Sequence, residues 1–181
     1  ELLDLAESGD LSGDATLRNQ VTRMLKSKKR RALSEAFLSE WLSLTRLDGR
    51  NVDTSFFPNT PDSIYDDARH ETAMLFDDFI RGSDDLRDFV SSDYTYVNDR
   101  LARHYGLGNG FSSSFEKVSL AGSDRMGLLT HASVLAATSG PAETLPVIRG
   151  KWVLEKVLCK APPPPPDDVS TEIEDDGPAT K

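Results

Sequence analysis

At 181 residues and 19.9 kDa, the chain is sized for one domain, or for two small ones sharing a core. Its 38% hydrophobic and 28% charged residues, with a mean hydropathy of -0.43, describe a globular composition, and no apolar run approaches the roughly 20 residues of a membrane-spanning helix. A net charge of -9 disfavours generic nucleic-acid binding, and the single cysteine, Cys159, excludes an internal disulfide, a C-x-x-C zinc site and a C-x-x-C-H haem attachment.

The opening segment ELLDLAESGD reads as a short amphipathic helix closed by Gly9, not as a secretory leader. Asp14 is placed to cap a second helix with Leu17, Val21, Met24 and Leu25 at helical spacing. The basic run Lys26, Lys28, Lys29, Arg30 and Arg31 then reads as a solvated helix junction, with a phosphate or acidic-partner contact as the lesser alternative. Leu33, Phe37, Trp41 and Leu44 form one apolar stripe, and the loop after Gly49 is expected to be pinned by Phe56 and Phe57.

The strongest helical pattern follows. Thr60 is the expected cap, Pro61 lies in the first turn, and Ile64, Ala68, Leu75, Phe76, Phe79 and Ile80 are the buried face, with Gly82 as left-handed terminator. Asp66, Asp67, Asp77 and Asp78 fall on the other face. A short helix over 84–90, an extended piece at Tyr94 to Tyr96, and a helix from Asp99 to Tyr105 capped by Asn98 and stopped by Gly106 come next. Phe115 to Leu120 alternates as a short strand, Leu128 to Ala137 is a buried helix, and Val147 to Leu158 is a last helix with Trp152 and Leu154 inward. Pro162 to Pro166 is an extended polyproline segment, followed by an acidic tail too polar to fold alone. The reading is mostly α: a helical bundle-like domain with a minor β element and an extended proline-rich end. It divides into a helical domain at 1–106, a smaller domain at 107–161 packed on the first, and a linker with acidic tail at 162–181.

Chemistry is sought at the histidines. His70 has Asp66 and Asp67 at metal-pair spacing, but surface carboxylates beside a histidine are common. His104 lies in a last helical turn, where the helix dipole accounts for it. His131 sits in the apolar run from Gly127 to Ser133 and needs hydrogen-bond partners if buried. Nucleophile-elbow, Walker and dinucleotide glycine patterns are missing. The adjacent pairs Asp66-Asp67, Asp77-Asp78 and Asp84-Asp85 read as a solvated face, with weak calcium binding as the alternative.

Several strings occur together: Arg23-Met24-Leu25, Trp41-Leu42-Ser43-Leu44 with Leu47-Asp48, Phe57-Pro58 and Glu71-Thr72. They continue with Tyr94 to Asn98 running into Leu101 to Gly106, Gly127 to Leu135, and Arg149 to Glu155. In this order the chain resembles the paired domains of unknown function in large planctomycete-type secreted proteins that carry a c-type cytochrome-like domain. The resemblance implies an exported multidomain parent, periplasmic or at the cell surface, of which this chain is a fragment. It also implies no cofactor in this chain and haem c on another domain or subunit. One departure is Thr144-Leu145-Pro146, where the family more often has serine before the proline.

The function expected on this basis is a non-catalytic scaffold or interaction region. Its partners are other domains or subunits of the same complex, with polysaccharide as a further class; nucleic acid and a membrane-spanning segment are not expected. The acidic helix face and the proline segment would be its contact features. The alternative is the substrate-cleft domain of a haem-dependent oxidoreductase acting on an extracellular substrate, carbohydrate among them. That reading needs His131 as acid–base group, Arg149 as an anion or oxyanion holder and Tyr96 near the cleft, converging on one concave site.

Overall fold

Helix α1 (Leu2–Glu7) ends where Gly9 takes a left-handed φ of 80°, and α2 (Asp14–Lys26) follows. In this computed structural model residues 1–82 and 85–163 are described. The polyproline and acidic-tail expectations beyond residue 163 lie outside them, as does the start of the helix expected at 84. Asp14 is the first residue of α2 and not its cap; Gly13 holds that place. Neither α1 nor α2 buries a single residue, and Leu17, Val21 and Met24 stand about half exposed.

A π-helical turn (Leu33–Phe37) runs into the short helix α3 (Leu38–Trp41) and a 3₁₀ turn (Leu44–Leu47). The inward face is Leu38, Leu42, Leu44 and Leu47. The expected stripe is therefore displaced: the π turn rotates Leu33 and Phe37 outward to 41% and 51% exposure. The loop after Gly49 is held by Asp53 and Asp62, which accept from the Ser55 and Val52 amides, while Phe56 and Phe57 stay exposed.

Helix α4 (Ile64–Arg81) is the axis of the molecule. It begins three residues after Pro61, and Gly82 at its end is extended (φ −75°), not left-handed. Ile64, Ala68, Leu75, Phe76 and Phe79 are buried along one side; Leu75, Phe76 and Phe79 pack with Leu38, Leu42, Phe89, Leu128, Val134 and Trp152, and Ile64 packs with Val52, Val97, Leu101 and Ala102. A 3₁₀ turn (Leu86–Phe89) leads to β1 (Tyr94–Val97), whose alternation sends Thr95 and Val97 fully inward. Helix α5 (Asp99–Tyr105) matches the expectation at both ends: the Asn98 side chain accepts from the Leu101 amide, and Gly106 closes it at φ 70°.

Strand β2 (Glu116–Ser119) pairs antiparallel with β1, Tyr94 opposite Ser119 and Val97 opposite Glu116, making a two-stranded sheet. A 3₁₀ turn (Leu128–Thr130), α6 (Ala132–Ala137) and α7 (Pro146–Trp152) complete the chain, with a second π turn (Val153–Val157) at the end. Two indole N–H groups tie this end to α3. Trp152 Nε1 donates to the Leu42 carbonyl at 2.8 Å, and Trp41 Nε1 donates to that of Lys156 at 2.9 Å. Leu154, expected inward, is 37% exposed because the π turn shifts its phase. The fold is thus mostly α with a minor β element, and no helix among the described residues is long and apolar enough to cross a membrane.

Candidate functional site

The most unusual chemistry lies inside the core. Glu71 projects from the buried side of α4 with no solvent exposure, and His131, just before α6, is 1% exposed. Thr95 on β1 donates to Glu71 Oε1 at 2.6 Å, and Tyr105 at the end of α5 donates to Oε2 at 2.5 Å. His131 Nε2 lies 3.3 Å from Thr95 Oγ1 and 3.7 Å from Glu71 Oε1. On its other side, Nδ1 lies 2.9 Å from Thr72 Oγ1, itself 2.7 Å from Ser133 Oγ. The Tyr105 hydroxyl also accepts from the Ala132 amide at 2.8 Å.

If Thr95 donates its one proton to Glu71, then His131 Nε2 carries the hydrogen that Thr95 accepts. Nδ1 is then an acceptor facing Thr72, whose one proton is shared between Nδ1 and the Ala68 carbonyl 3.1 Å away, while Thr72 accepts from Ser133. That is the arrangement for an ionised Glu71. When Glu71 is protonated, its O–H donates to Thr95, whose hydroxyl donates on to His131 Nε2, so that Nδ1–H donates to Thr72 and Thr72 to the Ala68 carbonyl at 3.1 Å. Among the described residues, no buried side-chain nitrogen or oxygen lacks a hydrogen-bond partner.

Burial sets the protonation of the pair. It pushes Glu71 up to about 8, against the pull of the Thr95 and Tyr105 donors and the Arg125 charge. It pulls His131 down to about 3, with Arg125 adding in the same direction. The imidazole is therefore neutral across the ordinary pH range, and it is 1% exposed.

The other two expected site residues lie elsewhere. Tyr96 is on the opposite face of β1 from Thr95, where its hydroxyl donates to Asp78 Oδ2 at 2.9 Å. Tyr94 and Lys117 donate to the same oxygen at 3.1 Å each. Burial and the Asp78 carboxylate push Tyr96 up to about 12. Arg149, on α7, donates through Nε to Thr138 at 3.1 Å and through Nη2 to Ser139 Oγ at 3.0 Å. His131, Arg149 and Tyr96 thus occupy three separate environments and do not meet.

The acidic face of α4 is likewise not the free surface its sequence suggests. Asp67 is 7% exposed and held by Arg100, Asp77 takes a two-pronged contact from Arg30, and Asp66 binds Arg69. His70 is exposed, its ring set edge-on to Phe115 at 4.7 Å, while both neighbouring aspartates are engaged. His104 is shifted the other way from what its helix end would favour: desolvation, then Arg125, lowers it from 6.5.

Arg149 does line a cleft, of about 410 Å³, between the loop after Gly49, α4, α6 and the segment before α7. Arg50 and Arg125 line it too. Arg50 donates to the carbonyls of Ala136 at 2.7 Å and Ser139 at 3.2 Å and lies over Tyr65; Arg125 donates to the carbonyl of Thr130 at 2.8 Å and lies over Tyr105. Nothing in the sequence near Arg50 or Arg125 announces this, because most of their partners lie far along the chain.

No group of three or more His, Cys, Asp or Glu among the described residues is placed to hold a metal ion. A covalently attached haem needs two neighbouring cysteines; Cys159 is alone and exposed, so the residues of this chain do not fit that group.

Residues 1–107 match the family PSD4, described as a protein of unknown function (DUF1592). The chain belongs to this family. Residues 125–181 match PSCyt3, also described as a protein of unknown function (DUF1588), and the two matches together are those of paired uncharacterised domains of planctomycete-type cytochrome proteins. No curated protein and no solved structure matches the chain. The PSD4 span supplies Glu71, Thr72, Thr95 and Tyr105 to the buried network, and the PSCyt3 span supplies His131 and Ser133.

Proposed function

We propose that this chain is a non-catalytic interaction region of an exported, cytochrome-associated multidomain protein. Its partners are other domains of that protein, where the haem would also reside. One observation carries the reading. The first 26 residues bury nothing in this chain, yet α2 presents Leu17, Val21 and Met24 on one stripe, each close to half exposed. An amphipathic helix that touches α4 yet leaves its apolar stripe half open is a docking element.

The sealed Glu71–His131 network supports the non-catalytic half of the reading, since a general base must reach the proton it abstracts. The separation of His131, Arg149 and Tyr96 weighs against a shared substrate cleft. The acidic face of α4, engaged in its own ion pairs, gives way to α2 as the contact surface.

The test uses the native parent protein and the triple variant Leu17→Asp, Val21→Asp, Met24→Asp. These side chains are exposed, so the variant keeps its fold. Binding of the chain to the remainder of the parent is expected to weaken at least about tenfold in the variant. The dithionite-reduced minus oxidised spectrum of the parent is expected to show a c-type α-band. Unchanged binding would overturn the interaction surface, and a featureless spectrum would remove the cytochrome association.

A further inference from the structure

The chain carries a net charge of -9, yet the cleft that Arg149 lines is positive. Three guanidinium groups, Arg50, Arg125 and Arg149, line it against a single carboxylate, Glu143. Other arginines of the fold, Arg30, Arg69, Arg100 and Arg103, lie within ion-pair distance of aspartates. The three in the cleft form no ion pair among the described residues, Glu143 included. They are half-buried and hydrogen-bonded only to neutral acceptors: the carbonyls of Ala136, Ser139, Thr130 and Leu135 and the hydroxyls of Thr138 and Ser139.

Like charges gathered in a partly desolvated cleft repel one another, and carbonyl dipoles offset that only in part. Neutral tethers fix the guanidinium planes while leaving N–H groups unspent. Among the described residues, Arg149 Nη1 and Arg50 Nε carry no protein hydrogen bond, and Arg125 uses only Nη1. A set of oriented, unneutralised donors is the arrangement that receives an anion. The same potential accounts for part of the lowering of His104 on the cleft wall, where Arg125 adds to desolvation.

The cleft floor decides which anion. Val52, Ile64, Ala68 and Leu135 line it, with the rings of Phe57 and Tyr65 at its side. A bare inorganic ion would leave this apolar surface wet, whereas a ligand with an apolar body would cover it. The volume of about 410 Å³ lies within the range of small-molecule sites, on the order of 300–1,000 Å³. We propose that this cleft binds a small organic carboxylate with an apolar or aromatic body. The carboxylate lies between the arginines and the body lies on the Ile64–Leu135 floor.

The assignment is independent of the docking role of α2. Titration of the full 181-residue chain with sodium benzoate, sodium acetate and inorganic phosphate tests it, read by calorimetry and by amide chemical shifts. Benzoate is expected to bind one to one, with shifts confined to the cleft, and acetate and phosphate at least about tenfold more weakly. Arg149→Gln should weaken benzoate at least about tenfold, as for a lost charge-assisted hydrogen bond. Because Arg149 also clamps Thr138 and Ser139, the exposed Glu143→Gln is the second variant. Removing the one competing carboxylate should tighten benzoate several-fold. The proposal is overturned by no benzoate binding at tens of millimolar, by phosphate binding as tightly as benzoate, or by an unchanged affinity in Glu143→Gln.

Discussion

Glu71 is a carboxyl group that the fold keeps from ionising. Its ordinary value is 4.5 and burial pushes it up to about 8. Below pH 4.5 it is protonated in both folded and unfolded chains. Between 4.5 and 8 only the unfolded chain releases the proton, so its contribution to stability is lost as pH rises through that window. His131 works in the other direction. Burial pulls it from 6.5 to about 3, so its contribution is complete above 6.5 and is lost as pH falls towards 3. The two slopes oppose each other between 4.5 and 6.5, and the pair alone gives a flat maximum there. Glu71→Gln keeps the size and removes the alkaline arm. The stability difference between wild type and this variant, from urea unfolding, should shrink by about 2–4 kcal/mol between pH 4.5 and 8. A difference that does not vary with pH would show that Glu71 ionises as freely in the fold as outside it.

At the scale of elements, Gly127 and Gly150 are the contrasting pair. Gly127 has a φ of 48°, and its amide donates to the Ser92 carbonyl at 2.8 Å where the chain turns into the 3₁₀ turn before His131. A Cβ there would stand 2.6 Å from the Ser92 nitrogen and closer still to the Val90 carbonyl, all rigid backbone. Gly127→Ala should therefore cost about 3 kcal/mol or more and displace the segment that carries His131. Gly150 lies in α7, and a Cβ added there would meet nothing within 4 Å, so Gly150→Ala should leave stability unchanged or raise it by up to about 1 kcal/mol. Thermal unfolding of the two variants separates the cases; equal effects would contradict the close approach at Gly127.

How legible each element was follows from how local its causes are. Helix α5 was readable at both ends because Asn98 and Gly106 act on their own neighbours. The stripe from Leu33 to Leu44 was readable as helix but not in phase, since one π turn shifts the inward face to Leu38 and Leu42. Glu71 left a signal that a hydrophobicity pattern passes over. The buried face of α4 runs through Ala68 and Leu75, and a residue at 71 falls on that same side whatever its polarity. Arg50 and Arg125 left none.

At the scale of the whole molecule, the network is sealed because two stretches of chain close over it from either side. Glu71, Thr95 and Tyr105 come from the span that matches PSD4, and His131 and Ser133 from the span that matches PSCyt3. The sheet adds a second tie, with β1 inside the first span and β2 between the two. None of this was legible in the sequence beyond the expectation that a buried His131 needs partners, because the partners lie 36 and 59 positions away. The consequence is that burial between the two stretches holds His131 neutral down to about pH 3. Its protonation is a property of the whole fold.

The most direct test of that claim is the pH titration of the His131 ring, followed by NMR in the 181-residue chain. The ring signals should hold one neutral position from about pH 8 down to about pH 4, and should change only as the pH approaches about 3 or the chain unfolds in acid. A smooth titration of His131 between about pH 6 and 7 in the folded protein would contradict the account, and would return the residue to the role of a working acid–base group.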